Sequence, residues 1–314
     1  MLETLLLIAG LALLIKGADV FVNAGVGIAK KLRIPSVIIG MTIVAMGTSA
    51  PEAVISFTAS IQGASALAIS NIIGANIFNL MFIIGLCAAI KAMNVDVIQI
   101  VREFWLSIIA VGILIGLILI SGTHIPRWGS AILLGLFILY LVIVIRRAMK
   151  AQGEHDGKDE DAGKQKPFPI IILLALLGCG MIIVGGQFVV DNATKIAMDL
   201  GVTDRIIGLT VVAIGTSMPE LVTSLVALKK GENEFALGNI IGSNIFNLMF
   251  ILGISGIISP LEFDSALIFD TVFLIVGSLI SLLFVYTSKR LTRPEGYVMA
   301  GLYIGYMVYI LMGT

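Results

Sequence analysis

Residues 39–52, IGMTIVAMGTSAPE, return at 207–220 as IGLTVVAIGTSMPE, with 10 of 14 positions identical. Residues 71–85, NIIGANIFNLMFIIG, return at 239–253 as NIIGSNIFNLMFILG, with 13 of 15 identical. Both pairs are offset by 168 residues, and 18 residues separate the two blocks. A constant offset across two separated blocks means that a whole structural unit was duplicated, so the chain must fold as two related halves.

Hydropathy sets the solvent for that fold. Of 314 residues, 58% are hydrophobic and 13% charged, with a mean hydropathy of +1.08. A soluble domain carries roughly 45–50% apolar and about 25% charged residues. The composition is that of an all-α polytopic membrane protein. Equal numbers of basic and acidic residues, 20 each, leave no basic stripe for nucleic acid. Cys87 and Cys179 lie in apolar runs, and the two histidines, His124 and His155, are too few for a histidine metal site.

A membrane-spanning helix needs about 20 apolar residues. Ten runs qualify: 4–28, 36–60, 65–90, 103–121, 127–147, 168–196, 205–228, 234–258, 265–287 and 295–312. With both termini outside, the cytoplasmic connections hold 16 of the 20 Lys and Arg residues, and only Arg127, Lys195 and Arg205 lie outside. The expected arrangement is therefore ten transmembrane helices in the plasma membrane. Residues 1–148 form a first five-helix repeat, 149–167 a flexible cytoplasmic linker and 168–314 a second five-helix repeat. Five is odd, so the second repeat enters the bilayer upside down. Inverted repeats are a transporter architecture, with the substrate site near the midplane between the repeats.

The conserved spacing of the two copies then points to chemistry. Glu52 is the only ionisable residue between Arg33 and Lys91, and Glu220 the only one between Arg205 and Lys229. A carboxylate in hydrocarbon costs several kcal/mol and marks a functional site by default. The plainer reading is a protonated glutamate that locks helices together. Each acid follows a proline, Pro51 or Pro219, which removes a backbone donor, with Gly47 or Gly215 one turn earlier. Unwinding there is expected to free the carbonyls of Ala45, Met46, Gly47 and Thr48 and of their counterparts. Thr48, Ser49, Thr216 and Ser217 add hydroxyls. In the second block, Asn79 and Asn247 share a helix face with Ala75 and Ser243 and are read as site residues. Asn71, Asn76 and their counterparts are read mainly as helix–helix glue. The whole inventory is oxygen, which suits hard cations such as calcium and sodium and disfavours soft metals.

The paired GTSxPE and NxxG(S/A)NIxN blocks in two halves resemble the alpha-repeats of the sodium/calcium exchangers, within the cation/calcium antiporter superfamily. That resemblance covers essentially the whole chain. It implies that Glu52 and Glu220 ligate calcium, with the backbone carbonyls of Thr48 and Thr216. It implies sodium ligation by Ala45, Thr48, Ser49, Ala213, Thr216, Ser217 and Ser243. Ala75 stands where the family usually has serine, which implies a weakened sodium position. Asn247 replaces an aspartate common in potassium-dependent relatives, which argues against potassium transport.

The expected function is calcium-for-sodium antiport by alternating access at overlapping midplane sites, with no cofactor, no enzymatic step and no protein partner implied. A proton-coupled calcium antiporter and a cation channel remain as rivals. An intramembrane enzyme is disfavoured by the lack of HExxH or a GxGD pair. Lys16 and Asp19, three residues apart, are expected to pair in the first span, with Gln187 and Asp191 near the matching positions of the sixth.

Overall fold

The structure is a computed structural model that describes residues 2–94, 97–122, 124–154, 166–202, 211 and 213–312 apart from 264–265. It is helical throughout, with two short β-bridges. In the first half, α1 (Leu2–Leu32) is followed by α2 (Ser36–Ile39), a π-helical turn (Gly40–Val44), α3 (Ala45–Thr48) and α4 (Ala50–Ile61). Then come α5 (Ser65–Ile77), a second π-turn (Phe78–Ile83), α6 (Ile84–Ile90), α7 (Val97–Ser121) and α8 (Arg127–Glu154). The second half comprises α9 (Phe168–Asp199), α10 (Ala213–Thr216), α11 (Met218–Lys229) and α12 (Asn233–Ile245). A π-turn (Phe246–Ile251), α13 (Leu252–Ile258), α14 (Ala266–Ser288) and α15 (Arg293–Met312) complete it. The bridges pair β1 (Met93–Asn94) with β4 (Arg290–Leu291), and β2 (His124–Ile125) with β3 (Leu261–Glu262). Each joins one half to the other.

Eight helices among the described residues are long and apolar enough to cross a membrane, and nine if Ser36–Thr48 and Ala50–Ile61, bent by 49°, form one span. The span expected at 205–228 begins in residues outside the description. Helix α8 continues to Glu154, six residues into the segment expected as a flexible connection, and residues 155–165 lie outside the description.

Burial divides the helices by role. The windows of the spans Ser65–Ile90 and Asn233–Ile258, which contain the NIIG blocks, are 78% and 83% buried. These two spans therefore occupy the centre, and surrounding protein lets them bury asparagines and serines that lipid would not tolerate. Helices α1 and α9 lie together at the periphery and run antiparallel: Gly10 faces Phe188, Gly17 faces Met181 and Gly27 faces Ile171. A Cβ on Gly17 would lie 2.7 Å from Met181 Cβ, and one on Gly185 would lie 2.6 Å from the Leu14 nitrogen. Close backbone approach through small residues is how helices associate in lipid, where no hydrophobic force separates protein from solvent.

Candidate functional site

Proline 51 and its counterpart place the two acids. Because Pro51 and Pro219 carry no N–H, the helix cannot run unbroken through them, and each pair of helices parts at one serine. Ser49 (φ −83°, ψ 10°) separates α3 from α4, and Ser217 (φ −91°, ψ 8°) separates α10 from α11. The break is narrower than the unwound stretch expected from the Gly–Pro spacing. Ser49 N–H still reaches the Ala45 carbonyl at 3.0 Å, so that carbonyl is not freed. The Gly47 carbonyl, which lies opposite the missing Pro51 donor, is met instead by the Cys179 thiol of α9 at 3.7 Å. A weak S–H donor thus fills the place of the lost backbone bond.

Glu52 and Glu220 follow in the first turns of α4 and α11, where the helix dipole favours negative charge. Both are fully buried. Ser49 Oγ donates to Glu220 Oε1 at 2.7 Å, and Ser217 Oγ donates to Glu52 Oε1 at 2.9 Å. Each acid is therefore held by the serine at the start of the helix that carries the other, and the two GTSxPE segments meet at the centre of the molecule.

Around this pair the second blocks supply amides. Asn76 Nδ2 donates to the Asn244 carbonyl at 3.2 Å, and Asn244 Nδ2 to the Asn76 carbonyl at 3.3 Å. Asn79 Nδ2 donates to Asn244 Oδ1 at 3.2 Å, and Asn247 Nδ2 to Asn76 Oδ1 at 3.0 Å. Asn76 and Asn244 are thus the glue expected of them. Asn79 and Asn247 divide their amides: the nitrogens join the two halves, while their Oδ1 atoms are buried without a hydrogen-bond partner. Oε2 of Glu52 and Oε2 of Glu220 are left in the same condition. Four acceptor-only oxygens, related in pairs by the 168-residue offset, are thereby unmatched in the interior. Buried acceptors without donors are rare in proteins, and a cation is one partner that would satisfy them.

The two sides of the site are unequal. Ser243 Oγ donates to Glu220 Oε1 at 3.4 Å and lies 3.5 Å from both Thr48 Oγ1 and the Ala45 carbonyl. Its counterpart Ala75 is buried and brings no hydroxyl to Glu52. Among the described residues Ser217 is therefore the one side-chain donor to Glu52, whereas Glu220 has Ser49 and Ser243. Thr48 and Ser217 are buried with the acids, as is Thr216. Ala213 opens α10, and its side chain lies outside the description.

Residue patterns had not marked four of the contacts around the acids, those of Asn239 with Thr48 and Ser224, of Asn71 with Ser56 and of Cys179 with Gly47. Asn239 does more than join helices: its Oδ1 accepts from Thr48 Oγ1 at 3.1 Å and its Nδ2 donates to Ser224 Oγ at 3.1 Å. Asn71 makes the matching bond to Ser56 Oγ at 3.0 Å. The i,i+4 spacing of Ser56 from Glu52 and of Ser224 from Glu220 is the signal that could have found those two, and no local pattern points to Cys179. Among the described residues no three His, Cys, Asp or Glu side chains cluster, so the arrangement offers two carboxylates with neutral oxygens. That donor set suits a hard cation and lacks a nucleophile–base pair.

The family model for sodium/calcium exchanger protein matches residues 2–146 and 170–312. Inner membrane protein YrbG of Escherichia coli is 36% identical over 321 residues, covering 99% of this chain and 97% of the relative. Sodium/calcium exchanger MaX1 of Methanosarcina acetivorans is 32% identical over 343 residues, covering 98% and 97%. The solved structure of the sodium-calcium exchanger NCX_Mj superposes with a TM-score of 0.83 at 31% identity, covering 98% of each chain.

Proposed function

This chain belongs to the sodium/calcium exchanger family, and from that premise we propose that it exchanges calcium for sodium across the plasma membrane by alternating access. The observation that carries the reading is the crossed pair of serine–glutamate bonds, with Oε2 of both acids left unmatched in the interior. In this reading Glu52 and Glu220 ligate calcium together with the carbonyls of Thr48 and Thr216. Sodium ions take overlapping positions defined by Ala45, Ser49, Ala213, Ser217 and Ser243, and Asn79 and Asn247 contribute their free amide oxygens. The architecture proposed is ten spans in two inverted five-helix repeats, 1–148 and 168–314, with both termini outside and 149–167 in the cytoplasm.

Exchange follows from electrostatics and needs no chemical step. Two bare carboxylates in a closed, dry cavity cost too much to cross the membrane, so the site changes sides only when cations neutralise it. Calcium and sodium compete for the same oxygens, and each leaves on the side where the other is abundant.

One observation supports a second reading, a proton-coupled calcium antiporter. The alanine at position 75 leaves Glu52 with fewer hydroxyl neighbours than Glu220, which weakens sodium ligation on that side. Proteoliposomes loaded with sodium separate the two. Calcium uptake driven by an outward sodium gradient is expected, and it should be lost in Glu52→Gln and in Glu220→Gln. Uptake that ignores sodium and follows an imposed pH gradient would select proton coupling, and normal transport by both variants would refute the site itself.

A further inference from the structure

Helix α1 and helix α9 occupy corresponding positions in the two halves, yet their surroundings differ. Helix α1 lies along α11, which carries Glu220, and Ala18, Val22 and Ala29 of α1 share a buried cluster with Ala227 and Phe235. The corresponding pair, α9 and α4, scarcely touch. The molecule is therefore closed along one acid-bearing helix and loose along the other. The closed seam faces the end of the bundle that carries the 149–167 connection, since Gly27 of α1 abuts Ile171 at the start of α9.

That seam has an ionic fastening. Lys230 follows the last residue of α11 as its C-terminal cap, and its ammonium lies 2.6 Å from Asp19 Oδ1 and donates to Asn23 Oδ1 at 2.7 Å. Asp19 and Asn23 are four residues apart and present one face of α1. Lys16 adds a second ammonium, 3.4 Å from Asp19 Oδ2, and is itself well exposed. The expected Lys16–Asp19 pair exists, but the shorter contact of Asp19 crosses to the other half. In the second copy the matching positions are Gln187, Asp191 and Gln62. Gln187 donates to Asp191 at 2.7 Å within α9, and the place of the lysine is taken by a neutral residue at the end of α4. The seam that is closed has a cation from the facing helix; the seam that is loose has none.

We propose that Asp19, Asn23 and Lys230 are positioning residues that latch the linker-side path to the ion site shut, and that Lys230 must leave α1 for the site to open on that side. The inference rests on the alternating-access reading, and it locates one of the two gates that such a cycle needs. Side chains of Asp19 and Lys230 remain 37% and 28% exposed. Protein thus covers the pair only in part, which keeps it breakable; a strongly buried pair would hold the gate permanently.

The test is cysteine labelling in membrane vesicles of both orientations, using the full chain with Cys179→Ala and Ala227→Cys. Ala227 lies in the closed seam and outside the ion-binding machinery. A membrane-impermeant maleimide applied from the linker side should label it slowly. Lys230→Gln and Asp19→Asn should each raise that rate about fivefold, the population shift expected for losing one partly exposed ion pair. Lys230→Arg and the exchanged pair Asp19→Lys with Lys230→Asp should restore slow labelling. Equal rates in the parent and both single variants, or an exchanged pair that labels as fast as the singles, would overturn the latch. Labelling requires no flux. A chain that labels as expected but moves no calcium against sodium would therefore count against the antiport reading alone.

Discussion

Ser49 and Ser217 occupy equivalent positions and make equivalent bonds, so a simple symmetry argument gives them equal weight. Distance alone ranks Ser49 higher, with 2.7 Å against 2.9 Å. The surroundings reverse that order. Ser49→Ala leaves Glu220 Oε1 with the Ser243 hydroxyl at 3.4 Å, free to shorten, whereas Ser217→Ala leaves Glu52 with no side-chain donor among the described residues. Neither serine caps its helix through its side chain, so alanine removes only the bond to the acid. Stranding a fully buried carboxyl oxygen costs the upper part of a range of about 1–3 kcal/mol, and a neighbour that takes over part of the bond reduces the loss to about 1 kcal/mol. At roughly 2 °C per kcal/mol for a chain of this size, Ser217→Ala should lower the melting temperature of the cation-free protein by about 3–6 °C and Ser49→Ala by about 2 °C. Thermal unfolding in detergent with chelator present measures both. Saturating calcium should narrow the gap, because a bound cation supplies the compensation that the missing hydroxyl no longer gives. A Ser49→Ala loss equal to or larger than that of Ser217→Ala would refute the reasoning.

Ala75→Ser restores on the Glu52 side the hydroxyl that Ser243 supplies to Glu220; it should recover part of the Ser217→Ala deficit and raise apparent sodium affinity about fivefold, for a gain of about 1 kcal/mol. An unchanged sodium titration would show that position 75 does not face the site. Asn244→Leu removes a donor to the Asn76 carbonyl and the acceptor of Asn79 Nδ2. Each stranded group costs about 1–3 kcal/mol, so the variant should lose several kcal/mol in a denaturant titration, and a loss under 1 kcal/mol would contradict the cross-linked amide cluster. Gly185→Val drives a branched side chain into the Leu14 backbone, an overpacking that costs about 1–3 kcal/mol. Calcium should still bind by titration calorimetry while flux falls sharply; intact flux would mean that close contact between α1 and α9 is dispensable.

Much of this molecule is legible from the residues because the lipid leaves few options. Apolar runs interrupted by single charges mark the helices, and the 168-residue offset identifies Glu52 with Glu220 and Asn79 with Asn247 before any coordinate is known. What the offset cannot convey is which atoms meet when two copies dock face to face. Asn239 reads as glue beside Asn71, and only docking places its Oδ1 against Thr48 of the other half. Proline arithmetic signals a carbonyl without a donor at Gly47, but the thiol that answers it comes from a helix 132 positions away. The extent of unwinding at Ser49 is likewise a tertiary outcome, since neighbours that re-satisfy the backbone let the helix resume at once. Local spacing predicts the components of the site, and long-range packing decides their pairing.

The crossed hydroxyl–carboxylate bonds carry a consequence for ancestry. A half-length chain bearing one GTSxPE segment owns an acid but lacks the serine that faces it, because that serine arrives on a second copy. In the inverted arrangement proposed above, an unduplicated forebear could build this centre only by inserting into the bilayer in both senses and pairing with a second copy of itself turned by a two-fold rotation. Joining the twins in one gene ended that requirement for sameness, and alanine at 75 opposite serine at 243 is a place where the siblings have since diverged.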